Sequence, residues 1–336
     1  MDPAEDAEVD VREAWRRTLR SLLLAGIVFA AILGGIFTYA RTWPPMVSVE
    51  SGSMQHSDTE SMIGAIDTGD IVLVQAVYSR ADVVTYLEGR AGGHGTYGDF
   101  GDVIVFRNPA NLGGTVFIHR AIAYVLWNAT AGAYDVPDLG RLPEEDWDAF
   151  LPGGAPTQDT AGIARFILYR AGWARDLTVF FNLTEGDRSI AVGGQRDGFL
   201  TMGDHNAYTT ITKFDRWVIP VDFVVGRARG ELPWFGLIKL TLFREGTGCC
   251  EWWGSTHPDR GAPANSWFGL NVSLGLLVGT PLAFTLLEVY LSRHPGARRR
   301  LREIGRELWP FRRKRPPGPE GTEVATEADV TTRDEE

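Results

Sequence analysis

Lysine is nearly absent from this sequence, with 3 among 33 basic residues, and the only two cysteines are neighbours, Cys249 and Cys250. Adjacent Cα atoms stand ~3.8 Å apart, below the ~4.4–6.8 Å of an unstrained disulfide, so a disulfide framework is excluded. There is no Cys-x-x-Cys, and the 6 histidines are scattered. A structural metal therefore lacks its ligand spacing, and neither metal nor cofactor is expected. Internal repeats are missing, and the Gly-Gly and Gly-x-Gly occurrences lack the strand-to-helix setting of a phosphate loop. Positive charge is clustered toward the C-terminus: the formal net charge is -10, yet Arg298-Arg299-Arg300-Leu301-Arg302 and Arg312-Arg313-Lys314-Arg315 fall in the last 40 positions. The rest is more acidic than the total, which excludes nucleic acid as the main partner.

What the chain does have is length, 336 residues at 44% hydrophobic, and two long uncharged runs. SLLLAGIVFAAILGGIFTYA, residues 21–40, carries no charge over 20 positions. At ~1.5 Å per residue it spans ~30 Å, the thickness of a bilayer's hydrocarbon. A cleaved signal has an apolar core of ~7–15 residues and then a small-x-small site; here Arg41-Thr42-Trp43-Pro44-Pro45 follows. Residues 21–42 therefore read as a transmembrane helix behind a 1–20 N-terminus. WFGLNVSLGLLVGTPLAFTL, from Trp267 to Leu286, is also uncharged but carries Asn271 and Pro281. Residues 266–292 read as a second span, with a buried core helix as the rival.

Arginine placement gives orientation. Arg12, Arg16, Arg17 and Arg20 precede the first span, and Arg293 with the basic blocks follows the second. Positive loops are retained in the cytoplasm, so both ends are expected there and residues 43–265 outside the plasma membrane. The stretch 293–336, basic and then acidic, is expected to be a disordered cytoplasmic tail.

Between the spans the pattern is β. VSVES (47–51), DIVLVQAVY (70–78), GDVIVFRN (101–108), TVFIHRAIAYVLW (115–127), RFILYR (165–170), LTVFFNLT (177–184), GFLTMG (198–203), WVIPVDFVVGRARG (217–230) and WFGLIKLTLF (234–243) are rich in Val, Ile and aromatics, as strands are. Residues 128–197 look like a loop-rich insertion. The expected fold is mainly β, a coiled and partly barrel-like sheet.

Two serine-methionine pairs, Ser53-Met54 and Ser61-Met62, offer a hydroxyl, and a hydroxyl needs a base to become a nucleophile. His119, in TVFIHRAIAYV, is the one histidine inside a strand-like run, where a side chain is held more rigidly than in a loop. Asp204 and Asp215, after the turn at Gly203, are the candidates to orient its ring. Asp204 equally suits an Asx turn.

In their order these blocks resemble a known family. An N-terminal span, SGSM, TGDIVLV, GDVIVF, IHRAIAYV, GFLTMGDHN and VVGRARGELPWFGLIKL, covering most of residues 20–243, look like a type I signal peptidase of the archaeal and endoplasmic-reticulum branch. The bacterial branch has lysine where Ile118-His119-Arg120 has histidine. The resemblance implies a membrane-anchored serine endopeptidase that removes signal peptides from exported preproteins after small residues of Ala-x-Ala type. It implies Ser53 as nucleophile, His119 as general base, Asp215 as orienting carboxylate with Asp204 in support, and Ser51 and Met54 at the oxyanion and substrate. The substrate would lie extended beside residues 47–52. Implied partners are signal peptides and the bilayer, with the translocation machinery as a further candidate. Three departures stand out: His56 where proline is usual, a delayed Gly69-Asp70, and Thr210 where a further Asp is usual. Ser61 competes with Ser53, because it stands at the usual distance before Gly69-Asp70. An inactive scaffold of the same fold, or a specialised peptidase for other exported precursors, are the alternatives.

Overall fold

A computed structural model describes residues 3–108, 111–183, 195–209, 214–243, 249–250, 252–255 and 261–308. The first elements are α1 (Pro3–Ala40), β1 (Met46–Ser48), β2 (Ile71–Gln75), α2 (Tyr86–Gly92), β3 (Gly95–Thr96), β4 (Asp99–Phe100), β5 (Val103–Asn108), β6 (Asn111–Asn128) and β7 (Ala133–Asp135). There follow β8 (Trp147–Phe150), β9 (Pro156–Thr157), β10 (Arg165–Ala171), β11 (Leu177–Asn182), β12 (Gly198–Met202), α3 (Asn206–Thr209), β13 (Val218–Ile219), β14 (Val224–Leu232), α4 (Gly236–Phe243), α5 (Ser266–Arg293) and α6 (Pro295–Leu308). The architecture is mixed helix and sheet, and the ladders between the named strands are antiparallel.

The main sheet runs β1-β2-β14-β5-β6-β12-β13, with β7 on β6. Among the described residues it does not close, which corrects the barrel-like expectation. Its edge strands are the three-residue β1 and the two-residue β13, and among the described residues no ladder joins them. β12 is covered on both faces, while β2 and β14 bury alternate residues. Along β12, Leu200 and Met202 enter one core cluster while Phe199 enters another, the period-2 alternation of a strand.

Residues 128–197, expected as loops around two strands, build a sheet of their own in the order β11-β10-β8-β9. Phe166 stacks on Phe181 with ring centroids 4.5 Å apart, and both are fully buried with Trp147, Leu168 and Val179. At about 1.5–3 kcal/mol for each fully buried large apolar side chain, this sheet is an integral layer rather than a decoration.

Three further expectations change. WFGLIKLTLF is not a strand: Trp234 turns the chain with φ 68°, and residues from Gly236 form α4. Leu237 and Leu240 bury one face while Leu242 and Phe243 stay exposed, and a short apolar run does not by itself distinguish helix from strand. Pro295–Leu308 is helical where disorder was expected; residues 309–336 of that tail lie outside the described residues. Cys249 and Cys250 are joined to one another across a Cα separation of 3.8 Å, a bond within one dipeptide that ties no distant segments.

Thr18–Ala40 of α1 and Ser266–Arg293 of α5 are long and apolar enough to cross a membrane. Leu22, Leu23 and Phe29 on the first, and Leu276, Leu277 and Phe284 on the second, are exposed.

Candidate active site

Strand β1 runs into Val49, Glu50 and Ser51, and a short 3-10 turn over Gly52–Met54 then presents Ser53. The turn is pinned from beneath. Met54 is buried in a cluster with Val49, Ile66, Val72, Val103 and Ala228. Gln55 is buried beside it and accepts from the Thr68 hydroxyl at 2.6 Å. Met54 thus anchors the turn in the core rather than lining the open site.

His119 sits on β6 opposite Ile104 of β5. Alternation puts Phe117, His119 and Ala121 on one face of that strand, and the rings of Phe106 and Phe117 lie 6.3 and 6.1 Å from the imidazole. Its Nε2 is 3.0 Å from Ser53 Oγ, and its Nδ1 is 2.6 Å from Asp215 Oδ2. Asp215 is held in turn: its N–H donates to the Thr201 carbonyl at 2.9 Å, and Thr201 Oγ1 donates to Oδ2 at 2.6 Å. Serine, histidine and aspartate therefore form a continuous row from three separate parts of the chain. Burial disfavours a charged His119, but the charge and hydrogen bond of Asp215, with the charge of Asp204 further off, outweigh it and raise its pKa above the ordinary imidazole value. Ser51 Oγ stands 3.5 Å from Ser53 Oγ, at the limit of a hydrogen bond.

Asp204 does not touch the imidazole. It takes a two-pronged contact from the fully buried Arg120, Nε to Oδ1 at 2.8 Å and a terminal nitrogen to Oδ2 at 2.6 Å. Burial would raise the Asp204 pKa, but Arg120 and then His56 hold it below the usual carboxylate range. Arg120 also donates to the carbonyls of Thr96, Tyr97 and Phe100, so this ion pair ties the loop beside α2 to the turn after β12. That turn supports Ser53 directly, because His205 N–H donates to the Ser53 carbonyl at 2.9 Å. A Cβ on Gly203 would lie 2.5 Å from that carbonyl and 3.1 Å from His119 Nε2. Glycine is the residue this approach admits.

His56 fills the position where the resemblance led us to expect proline. Its Nε2 is 3.1 Å from Asp204 Oδ2, and its ring stacks on Trp173 with centroids 4.3 Å apart. Trp173 in turn meets Tyr208 at 3.9 Å. The second sheet thus reaches the support of the Ser53 turn through Trp173. Ser61 is engaged elsewhere: its Oγ accepts from Trp234 Nε1 at 2.8 Å, and its N–H donates to Asn265 Oδ1 at 2.7 Å. Thr210 lies outside the described residues.

The sequence reading missed Thr201, Arg120 and Trp173. Thr201 carried a usable signal, being a polar residue in the otherwise apolar run GFLTM with the strand parity of Phe199. A cleft of about 750 Å³ opens beside the row, with the 46–51 segment on one side and 115–119 on the other. Lys239 also lines it, bonded to Ser48 Oγ at 2.8 Å and paired with Glu50 at 3.2 Å. Chemically, the arrangement can activate a hydroxyl beside a slot shaped for an extended chain. No protein-family model matches this sequence, and no curated protein matches it.

Proposed function

We propose that this chain is a membrane-bound serine endopeptidase of signal-peptidase type that removes signal peptides from exported preproteins after small residues. The observation that carries the reading is the Ser53–His119–Asp215 row, with contacts of 3.0 and 2.6 Å, at the mouth of a strand-walled cleft. In this reading α1 and α5 cross the plasma membrane and leave residues 43–265 on its outer face, where exported chains emerge. The preprotein lies extended along residues 46–51 and pairs with that edge strand through its backbone. Val49 and Ile118 line the cleft, and their branched side chains favour small residues before the cut.

His119 accepts the Ser53 proton as Oγ attacks the peptide carbonyl. The imidazolium is stabilised by Asp215 and gives its proton to the departing amine. Water, activated by the same ring, then releases the acyl group from Ser53. Ser51 places a second hydroxyl beside the developing oxyanion. Arg120 and Asp204 act on the framework and touch no reacting atom.

The test is cleavage of a preprotein with an Ala-x-Ala site by the purified, detergent-solubilised chain, beside Ser53→Ala and Ser61→Ala. Cleavage by wild type and by Ser61→Ala, with none by Ser53→Ala, is the expected pattern. Full activity in Ser53→Ala overturns the assignment of the nucleophile, and no cleavage by wild type in any lipid tried favours an inactive scaffold.

A further inference from the structure

We propose that α6 lies on the surface of the bilayer that α5 enters and binds anionic phospholipid headgroups there; this rests on the membrane reading of α5. The two helices are separated by His294 alone, since α5 ends at Arg293 and α6 begins at Pro295. Pro295 has no N–H to continue the α5 ladder and suits the first turn of a new helix. The 28 residues of α5 rise ~42 Å, more than the ~30 Å of hydrocarbon, so its end reaches the headgroups. The first turn of α6 therefore starts among phosphates.

Its sequence is unlike that of a span. In PGARRRLREIGREL, Ala297, Leu301 and Ile304 recur at i, i+4 and i+7, and Leu308 continues the period. This is a narrow stripe along one side of a helix. Leu301 and Ile304 are 46% and 50% exposed. Every other interval is polar or glycine, with five arginines, at 298, 299, 300, 302 and 306, against Glu303 and Glu307. A helix with one apolar stripe, low overall hydrophobicity and an arginine-rich remainder settles in the plane of an interface. An α5 anchor holds it within the ~8 Å over which a charged surface acts at physiological salt. Arginine presents a planar fork of donors that matches phosphate oxygens. The excess of arginine over glutamate selects an anionic surface over a zwitterionic one. In the orientation proposed above, that surface is the cytoplasmic leaflet.

The experiment uses the full chain in nanodiscs of phosphatidylcholine, alone or mixed with phosphatidylglycerol. An environment-sensitive fluorophore is placed at Ile304→Cys, and in a parallel sample at Leu282→Cys in α5, both in a Cys249→Ser/Cys250→Ser background. The Leu282 probe is expected to report hydrocarbon in both discs. The Ile304 probe is expected to shift its emission to the blue only in the mixed discs. That shift should be lost in about 1 M salt, where screening shortens to ~3 Å, and in Arg298→Gln/Arg299→Gln/Arg300→Gln. An Ile304 probe that stays in water in mixed discs while Leu282 is buried overturns the proposal alone. Equal, salt-indifferent burial of Ile304 in both discs overturns its anionic specificity. A Leu282 probe in water instead overturns the membrane reading on which it rests. None of these outcomes depends on peptidase activity.

Discussion

Replacing Asp215 by asparagine keeps the side chain's volume and removes its charge. The carboxylate stands 2.6 Å from His119 Nδ1 and accepts from Thr201 Oγ1 at 2.6 Å, and in the proposed reaction a positive imidazolium forms against it. With charge centres ~4 Å apart and an effective dielectric of ~20, that attraction is about 4 kcal/mol. Its loss slows acylation by about 10³, at 1.36 kcal/mol for each tenfold. The amide can also hold the ring in the wrong tautomer, which takes the loss in the Ser-His-Asp template to about 10⁴. The expected result is a kcat lower by about 10³–10⁴ with KM little changed, since Asp215 touches no substrate. A pH series adds a second readout. Neutral His119 is the active form and Asp215 raises its pKa, so Asp215→Asn moves the acid limb of the profile to lower pH. Preprotein cleavage is followed in wild type, Asp215→Asn, Ser53→Ala and the double variant. The double variant should be no slower than Ser53→Ala, because the three groups act as one unit. A loss below about tenfold, or an acid limb that does not move, refutes the reasoning.

Arg120→Met leaves the buried Asp204 without its cation and should destabilise the fold by about 3–5 kcal/mol. Chemical unfolding should show less than additive loss with Asp204→Asn, and strict additivity would contradict the pairing. Trp173→Ala removes the ring on which His56 stacks; kcat should drop about tenfold with the fold retained, and Trp173→Phe should recover most of it. Cleavage kinetics beside circular dichroism check this, and an unchanged kcat argues against any link between the second sheet and the site. Burial, first of all, pushes Asp67 and Asp70 up to about 6 and about 7. The folded state therefore holds protons that the unfolded chain has released, so stability is fullest below the unfolded carboxylate range and falls as pH rises toward 7. Between pH 5 and 7 Asp70 accounts for roughly 2–3 kcal/mol at 1.36 kcal/mol per unit. Asp70→Asn should flatten the fall in thermal midpoint across that window, and an unchanged slope rules the account out.

Of the three residues in the row, only His119 stood out by its own setting, as the one histidine inside a strand-like run; Ser53 and Asp215 were expected from the resemblance, with Ser61 and Asp204 beside them. Their union was not legible from spacing, since 96 residues separate His119 from Asp215. Strands β2, β5, β6, β10, β11, β12 and β14 overlap the runs read as strands from their Val, Ile and aromatic content. The run that became α4 is apolar at both helical and strand periods, and the turn at Trp234 with the core contacts of Leu237 decided it. His56 and Trp173 acquire meaning only through partners far along the chain: His56 meets Asp204, and Trp173 needs His56 to stack on.

Gly203 gives the molecule a switch that an experimenter can set permanently. Its missing methyl is the space between the Ser53 carbonyl and the His119 ring, 2.5 and 3.1 Å from where that carbon would sit. Adding the methyl as Gly203→Ala forces the Ser53 backbone and the His119 ring to give way while every side chain of the row is retained. Under the proposed function such a chain is a capture reagent: a preprotein that pairs with the strand edge but is not cut would stay bound long enough to be isolated and sequenced.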